Sequence, residues 1–470
     1  MILNLGQGLQ TIEKSEGDLS LSSLTPHDPI YITYDSNFTD YGFLGTGTAE
    51  DPYVIEGYNI TTTDSKGIYI SSTTKYFTVQ NCYIDAEEYG IYIRNVADGT
   101  ATVFNNTCCN NYNRGISLSS SASSTVVNNT CSNNNYGIIF FSSDSSTVAN
   151  NTFSNCGLVI SEYSIDAYLS YTIENNQVNG KKLGFYTNLD STTINESIYG
   201  QLILVDCTNV TVRDQIISNT TIGLFLYSCT YSNIINNTCS NNGKGIWLGS
   251  FNRLTLTNNT CNNNTCNNNS YYGIYLDHSG SSNVANNTCN NNNRQGIYLR
   301  FSDSSNVVNN TCNNNNRGIS LEYSDSSNVV NNTCNNNNNR GISLWYSDFC
   351  VVTYNFLQEN EGYGVYLIYS DNTTIHHNTF VDNNLGGTSQ ALDAGVNNTW
   401  YDSATLEGNY WSDWSGEGSY SIDGSANSVD LYPFGEPVVV EYPQIVLLAL
   451  ILSIVTLFLT RIISKKVKKE

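Results

Sequence analysis

Along most of the chain a glycine opens a short burst in which apolar residues alternate with polar or aromatic ones. The bursts read GIYI at Gly67 and Gly90, GISL at Gly115, GIIF at Gly137, GLFL at Gly223 and GIWL at Gly245. They continue as GIYL at Gly273 and Gly296, GISL at Gly318 and Gly341, and GVYL at Gly364, with a usual period of 22 to 23 residues. Some ten residues on, each copy carries V-x-x-N-x-C or a variant, as in Val307, Asn310, Cys312 and Val329, Asn332, Cys334. Period-two alternation in short bursts, broken by Asn and Ser clusters, predicts short strands joined by bends. A helical solenoid is excluded by tracts such as Asn313 to Asn316, because asparagine competes with the helix for its own backbone.

One coil of three short strands per repeat is therefore expected, giving a parallel solenoid of about fourteen coils over residues 61–385. Stacked coils bring equivalent positions to about 4.8 Å from one another, so repeated side chains become ladders. Ile319 and Leu321 point inward, Ser320 and Tyr298 outward. Asn332 and its equivalents Asn106, Asn129, Asn151, Asn237, Asn259, Asn287 and Asn310 form an internal amide ladder. Between Gly157 and Thr221 the pattern blurs into degenerate coils with a larger loop around 181–197. Near Cys261 the duplicated CNNNT reads as an insertion absorbed by a surface bend.

Cys108, Cys131, Cys239, Cys261, Cys289, Cys312 and Cys334 fall at one repeat position, which Phe153, Leu357 and Phe380 fill elsewhere. An inward apolar slot follows, and buried free thiols are the favoured reading over disulfides or a metal site.

From Ile445 to Thr460 the chain carries no charge, and the apolar stretch 444–463 approaches the roughly 20 residues that span a bilayer. The basic tail 464–470 belongs on the cytoplasmic side, which places the preceding chain outside the cell. No secretory signal opens the chain, since residues 1–20 are too polar. The formal net charge of -22 argues against nucleic-acid partners and anionic lipid heads. Asn-x-Ser/Thr triplets at Asn105, Asn128, Asn150, Asn236, Asn258, Asn286, Asn309 and Asn331 are glycosylation candidates that agree with an outside location.

These segments resemble a family. The repeats, the opening GTGTAEDPYVIEGYNI (Gly45 to Ile60), and the closing GNYWSDWSGEG (Gly408 to Gly418) and VDLYPF (Val429 to Phe434) are similar to the right-handed parallel β-helix proteins. That family includes NosD, the nitrous-oxide-reductase accessory protein, and the carbohydrate-binding and sugar-hydrolase β-helix domains. The likeness is closest to archaeal surface members and covers roughly residues 29–434. It implies an all-β, right-handed parallel β-helix, and for the NosD branch it implies copper association. With four His and one Met, this chain offers few ligands for copper. The family's Asp-rich closing loop shrinks here to Ser421-Ile422-Asp423-Gly424, and Pro26-His27-Asp28-Pro29 resembles an alginate-epimerase motif but precedes the coils.

The expected organisation is a polar segment 1–28, an N-terminal cap 29–60, the β-helix 61–385, a C-terminal cap and stalk 386–440, one transmembrane α-helix 444–463 and a cytoplasmic tail 464–470. Arg317 and Arg340 share the slot before the repeat glycine, with Arg294 nearby in the preceding coil. Like charges stacked about 5 Å apart call for an anionic glycan or neighbouring carboxylates. Outward aromatics, among them Tyr298 and Trp345, offer surfaces for sugar rings, although strand propensity alone explains them. No carboxylate cluster stands out. Asp277-His278, His376-His377 and Glu87-Glu88 read as isolated surface pairs, so no catalytic, metal or cofactor site is expected. The function expected is a membrane-anchored, cell-surface, non-catalytic solenoid that contacts glycans or envelope proteins. The alternatives are a polysaccharide lyase, hydrolase or epimerase, and a NosD-like copper accessory protein.

Overall fold

A computed structural model of the chain describes residues 23–249 and 258–437. Those residues form parallel β-solenoid of about fifteen turns, divided into two compact units at Ser302/Asp303. Each turn carries three strands, which stack into a glycine row, a valine row and a cysteine row.

In the first unit the glycine row starts at Ile30–Ile32 and continues in parallel through Lys66–Ser71, Tyr89–Arg94, Arg114–Ser119, Tyr136–Phe141 and Leu158–Ser161. The cysteine row starts earlier still, where Thr25–Pro26 pairs with Tyr58–Thr61. Coil pairing thus includes the segment 29–60 expected as a cap. The repeat glycine is required by space: a Cβ on Gly115 would lie 2.7 Å from the carbonyl oxygen of Gly137 in the next coil.

This first stack ends near residue 178. A short helix, Ile165–Leu169, opens on Ser164, whose hydroxyl accepts from the Ala167 amide. Gln177–Val178 then pairs antiparallel with Lys181–Lys182, through Gly180 at a positive φ of 74°. A second stack follows, with a new glycine row running through Lys181–Thr187, Tyr199–Val205, Ile222–Tyr227, Lys244–Gly249, Ile274–Asp277 and Gln295–Arg300. The residues expected to form a loop around 181–197 include the first strand of this row.

The second unit holds the same three rows, with a glycine row of Arg317–Glu322, Arg340–Trp345, Val365–Ile368 and Ala391–Ala394. Pairing continues past residue 385, since Thr379–Val381 pairs with Tyr410–Trp411. The conspicuous closing motifs finish these coils. Asp430 is fully buried and accepts from the Asn409 amide and the Trp411 indole, while Trp411 stacks on Phe380 and Tyr420 at 4.0 and 4.1 Å.

The amide ladder is present as Asn106, Asn129, Asn151, Asn176 and as Asn310, Asn332, Asn355, Asn378, Asn409. In each step a backbone N–H donates to the next coil's side-chain oxygen. One member was misassigned: Asn237 passes to Asn264, not Asn259, and Cys261 occupies a valine slot between Ile234 and Val284. Cys266 takes the cysteine position instead, bridging through Thr265 to Thr238 and Thr288. The extra residues therefore fall between Gly249 and Asn258 rather than in the duplicated CNNNT. All fourteen cysteines are buried, and none is joined in a disulfide.

Among the described residues no helix is long and apolar enough to cross a membrane. The expected membrane helix 444–463 and tail 464–470 lie outside the described residues.

Candidate functional site

Where the two stacks of the first unit meet, side chains that point outward from one glycine row are covered by the other. Ile139 and Val159 are 3% and 7% exposed, and Ile203 and Phe225 are 1% and 2% exposed, values proper to a core. The seam is pinned by polar contacts. The Gln201 side chain accepts from the Leu158 amide and donates to its carbonyl, and the Thr221 hydroxyl accepts from the Gly157 amide and donates to the Asn135 carbonyl.

At its edge the seam opens into a cavity of about 160 Å³ walled by Tyr136, Phe141, Ile222 and Trp247, with Arg114 and Lys244 on its lining. A shallower hollow of about 450 Å³, lined by Tyr112, Asn293 and Arg294, shares Asn135 and Tyr271 with it. Lys244 Nζ sits 3.6 Å above the Trp247 ring centroid. Burial pulls the Lys244 amine down to about 8, with nearby Arg294 adding to the fall and Asp277 opposing it. The Arg114 guanidinium lies 4.8 Å from the Phe141 ring, and its Nε has no hydrogen-bond partner among the described residues. Arg294 lies 5.1 Å over Tyr271. Three cations thus rim an aromatic slot in a chain of net charge -22. Since a water's share of liquid volume is about 30 Å³, the inner cavity is sized for one small ring rather than a polymer.

Beside Trp247, on the next two strands, lies a cluster that sequence reasoning took for surface. Asp277 is 7% exposed and its carboxylate is 3.0 Å from His278 Nδ1. Asp277 and Arg300 both act electrostatically on the Tyr275 hydroxyl, which burial and Asp277 push up. Burial raises the Asp277 carboxyl, against the lowering pull of His278 and Arg300. The alternation of Tyr275 and Asp277 on one strand, with Arg300 opposite Asp277 in the register, carried the signal.

Of the residues singled out by sequence, Arg294 belongs to the cleft. Tyr298 points outward but is 8% exposed and stacks on Tyr275 at 5.0 Å, which closes its face to a ligand. In the second unit Arg317 and Arg340 are register partners. No carboxylate pairs with either among the described residues. Arg340 instead lies 3.2 Å over the Tyr366 ring, and burial lowers its guanidinium from the usual value. Trp345 is 45% exposed and packs on Tyr346, the middle ring of a column formed with Tyr323 and Tyr369 at 5.0 and 4.8 Å. The eight sequon asparagines all take left-handed backbone with φ between 53° and 60°, half-buried or exposed on the outside of the bend.

No curated protein matches this chain. The family model described as periplasmic copper-binding protein (NosD) matches residues 254–416, and the right handed beta helix region model matches residues 31–131 and 66–201. Among solved structures, a periplasmic alginate epimerase, AlgG, is similar at 12% identity and a TM-score of 0.38, covering 81% of this chain and 85% of that one. The A-module of the Azotobacter vinelandii mannuronan C-5 epimerase AlgE4 is similar at 13% identity and 0.34, covering 78% and 99%. The Dettilon tailspike protein is similar at 13% and 0.34, covering 70% and 61%.

The copper named in the NosD description sets a test for the residues present. Among the described residues no three His, Cys, Asp or Glu side chains converge as a metal site. Burial disfavours the metal-binding thiolate at Cys82 and Cys156, both pushed up to about 11, whereas the neighbouring Cys229 thiol draws Cys207 down. What remains is a pair: His376 and His377 face each other through their Nδ1 atoms, with Glu407 behind His377. Two imidazoles in contact with each other fall short of a copper ligand set, so the described residues do not fit the metal named for the family.

Proposed function

Since this chain is a right-handed parallel β-helix repeat protein, its function resides in side chains mounted on a uniform solenoid, and we propose that it is a membrane-anchored cell-surface protein that binds anionic glycans without turning them over. The observation that carries the reading is the cleft at the seam of the first unit. Aromatic walls suit the C–H faces of a sugar ring, and Arg114, Lys244 and Arg294 suit its carboxylate or sulfate. The uncharged segment 445–460 and the basic tail support the anchor, and the sequon asparagines, all on outer bends, support a glycoprotein. The closing motifs support an archaeal surface protein.

The test is retention of the detergent-solubilised full chain on immobilised uronate-rich and sulfated polysaccharides, with neutral polymers as controls. Lys244→Met with Arg114→Met is expected to weaken retention at least about tenfold, from the loss of two charge-assisted contacts. Arg317→Ala with Arg340→Ala is expected to leave it within twofold. The reverse order would move the site to the second unit.

A second reading is favoured by one observation, the Tyr275, Asp277, His278 and Arg300 cluster beside the cleft. A base, a proton donor and a cation on one face suit proton abstraction next to a uronate carboxylate. Release of unsaturated or reducing ends from uronate polymers, abolished by Asp277→Asn and Tyr275→Phe, would establish that reading in place of simple binding.

A further inference from the structure

We propose that the seam cleft of the first unit recognises the end of an acidic glycan, seating one terminal carboxylate-bearing sugar in the inner cavity and the sugar next to it in the outer hollow. The assignment rests on the glycan-binding reading given above and adds which part of the polymer is held.

The cleft is blind. Its floor, Ile139, Val159, Ile160 and Ile222, is buried, because there the two stacks pack on each other. The seam is held shut by the Gln201 side chain on the Leu158 backbone and by the Thr221 hydroxyl on the Gly157 amide, over 2.8 to 3.0 Å. A polymer lying along a groove needs open space on both sides of the bound ring, whereas packed seam lies beyond this floor.

Exposure falls in steps toward that floor. Tyr112, Asn293 and Arg294 in the outer hollow are exposed, and Arg114, Tyr136 and Lys244 on the inner cavity are half-buried. Asn135 and Tyr271 border both spaces and tie the stacks together where they meet. The Thr221 hydroxyl donates to the Asn135 carbonyl at 2.9 Å, and Asn135 Nδ2 donates to the Tyr271 hydroxyl at 3.3 Å. A cavity of about 150 Å³ accepts a single six-membered ring, so the inner space of about 160 Å³ is filled by one sugar. The hollow of about 450 Å³ has room for the next.

The cations follow the same division. Arg114 is held between the Tyr89 and Phe141 rings, at 5.2 and 4.8 Å, and its Nη1 donates to the Ser117 hydroxyl at 3.2 Å. Its buried Nε has no partner among the described residues, which keeps one donor for a ligand carboxylate. Lys244 supplies the second cation of the inner cavity, and Arg294 the cation of the hollow. Burial and Tyr271 push the Tyr136 hydroxyl up while Arg114 and Arg294 pull it down, so both guanidinium groups face one mouth.

The test uses the full chain in detergent and calorimetry with galacturonate and its dimer, trimer and hexamer. Affinity per mole of chain is expected to rise about tenfold from monomer to dimer, and to stay within twofold from dimer to hexamer. In competition at constant mass, fragmenting a polygalacturonate is expected to raise its potency in proportion to the number of chain ends. Arg294→Met, at an exposed position, is expected to erase the gain from monomer to dimer and leave the monomer within twofold. Lys244→Met is expected to weaken monomer and dimer alike by about tenfold. Thermal melts of both variants separate folding from binding. Affinity that keeps climbing beyond the dimer, or potency set by mass and not by ends, overturns end recognition while glycan binding at the cleft stands. Absence of binding by every member of the series also overturns it, and retention on immobilised sulfated polysaccharide then decides whether the broader reading survives.

Discussion

At the scale of single residues, the repeat assigns opposite tasks to two neighbouring asparagines. Asn332 is buried; its side-chain nitrogen donates to the Val307 carbonyl at 2.8 Å, and its oxygen accepts from the Asn310 amide at 2.9 Å. Asn331 lies outside the bend and holds only the Asn309 side chain, at 2.7 Å. Asn332→Ala orphans buried backbone groups on both sides and is expected to cost about 3 kcal/mol in urea unfolding. Asn331→Ala is expected to stay within about 1 kcal/mol, since it removes one solvent-facing amide contact and the left-handed preference of asparagine. Equal costs would mean the ladder is not the stabilising element. This division was legible in the sequence because the inner asparagine keeps a constant distance from Val and Cys. The reading failed at Asn259, where two CNNNT copies offer identical spacing and only strand register tells them apart. The pairs Asp277-His278 and His376-His377 stayed hidden for another reason. His278 and His377 adopt left-handed backbone at bends, which places each imidazole beside its neighbour's polar atoms instead of on the opposite strand face.

At the scale of elements, the rows were legible and the break between stacks was not. Alternation predicts an outer and an inner face, but not that an outer face is covered by another row. A signal was present, since outward slots held by Ser117 or Tyr92 in earlier coils become Ile139, Val159, Ile203 and Phe225 around the seam. That apolar outer run is what closes the cleft and desolvates Lys244. The consequence is a pH dependence with a definite sign. Because the amine loses its proton as pH rises through about 8, retention of an anionic glycan is expected to weaken about tenfold between pH 7 and pH 9. Lys244→Arg should flatten the profile while Lys244→Met should weaken binding at both ends. A flat wild-type profile would remove Lys244 from the site. The buried cysteines give a second element-scale expectation. Cys350, pushed up to about 12 by burial, and its thirteen fellows should resist alkylation in the native protein and react fully once denatured without reductant. Incomplete reaction after denaturation would reveal disulfides in place of thiols.

At the scale of the whole molecule, the solenoid and the segment 444–463 pose a question of sidedness. Burying a membrane anchor needs only the apolar run, but orientation follows the positive residues beside it. Arg461, Lys465, Lys466, Lys468 and Lys469 crowd one end of that run, whereas Glu436 and Glu441 precede the other. A chain inserted this way exposes the coil-forming residues outside the cell and keeps its last residues within. With an epitope added after Glu470, protease applied to intact cells is expected to remove the coil-forming residues and leave a short, membrane-held, epitope-bearing fragment. Permeabilising the cells first should destroy the epitope too. Because a stacked solenoid resists proteolysis wherever its coils hold, the outside cleavage should first release large coil-containing fragments. Survival of the full-length chain on intact cells, together with its cleavage after permeabilisation, would place the coils inside and end the cell-surface reading.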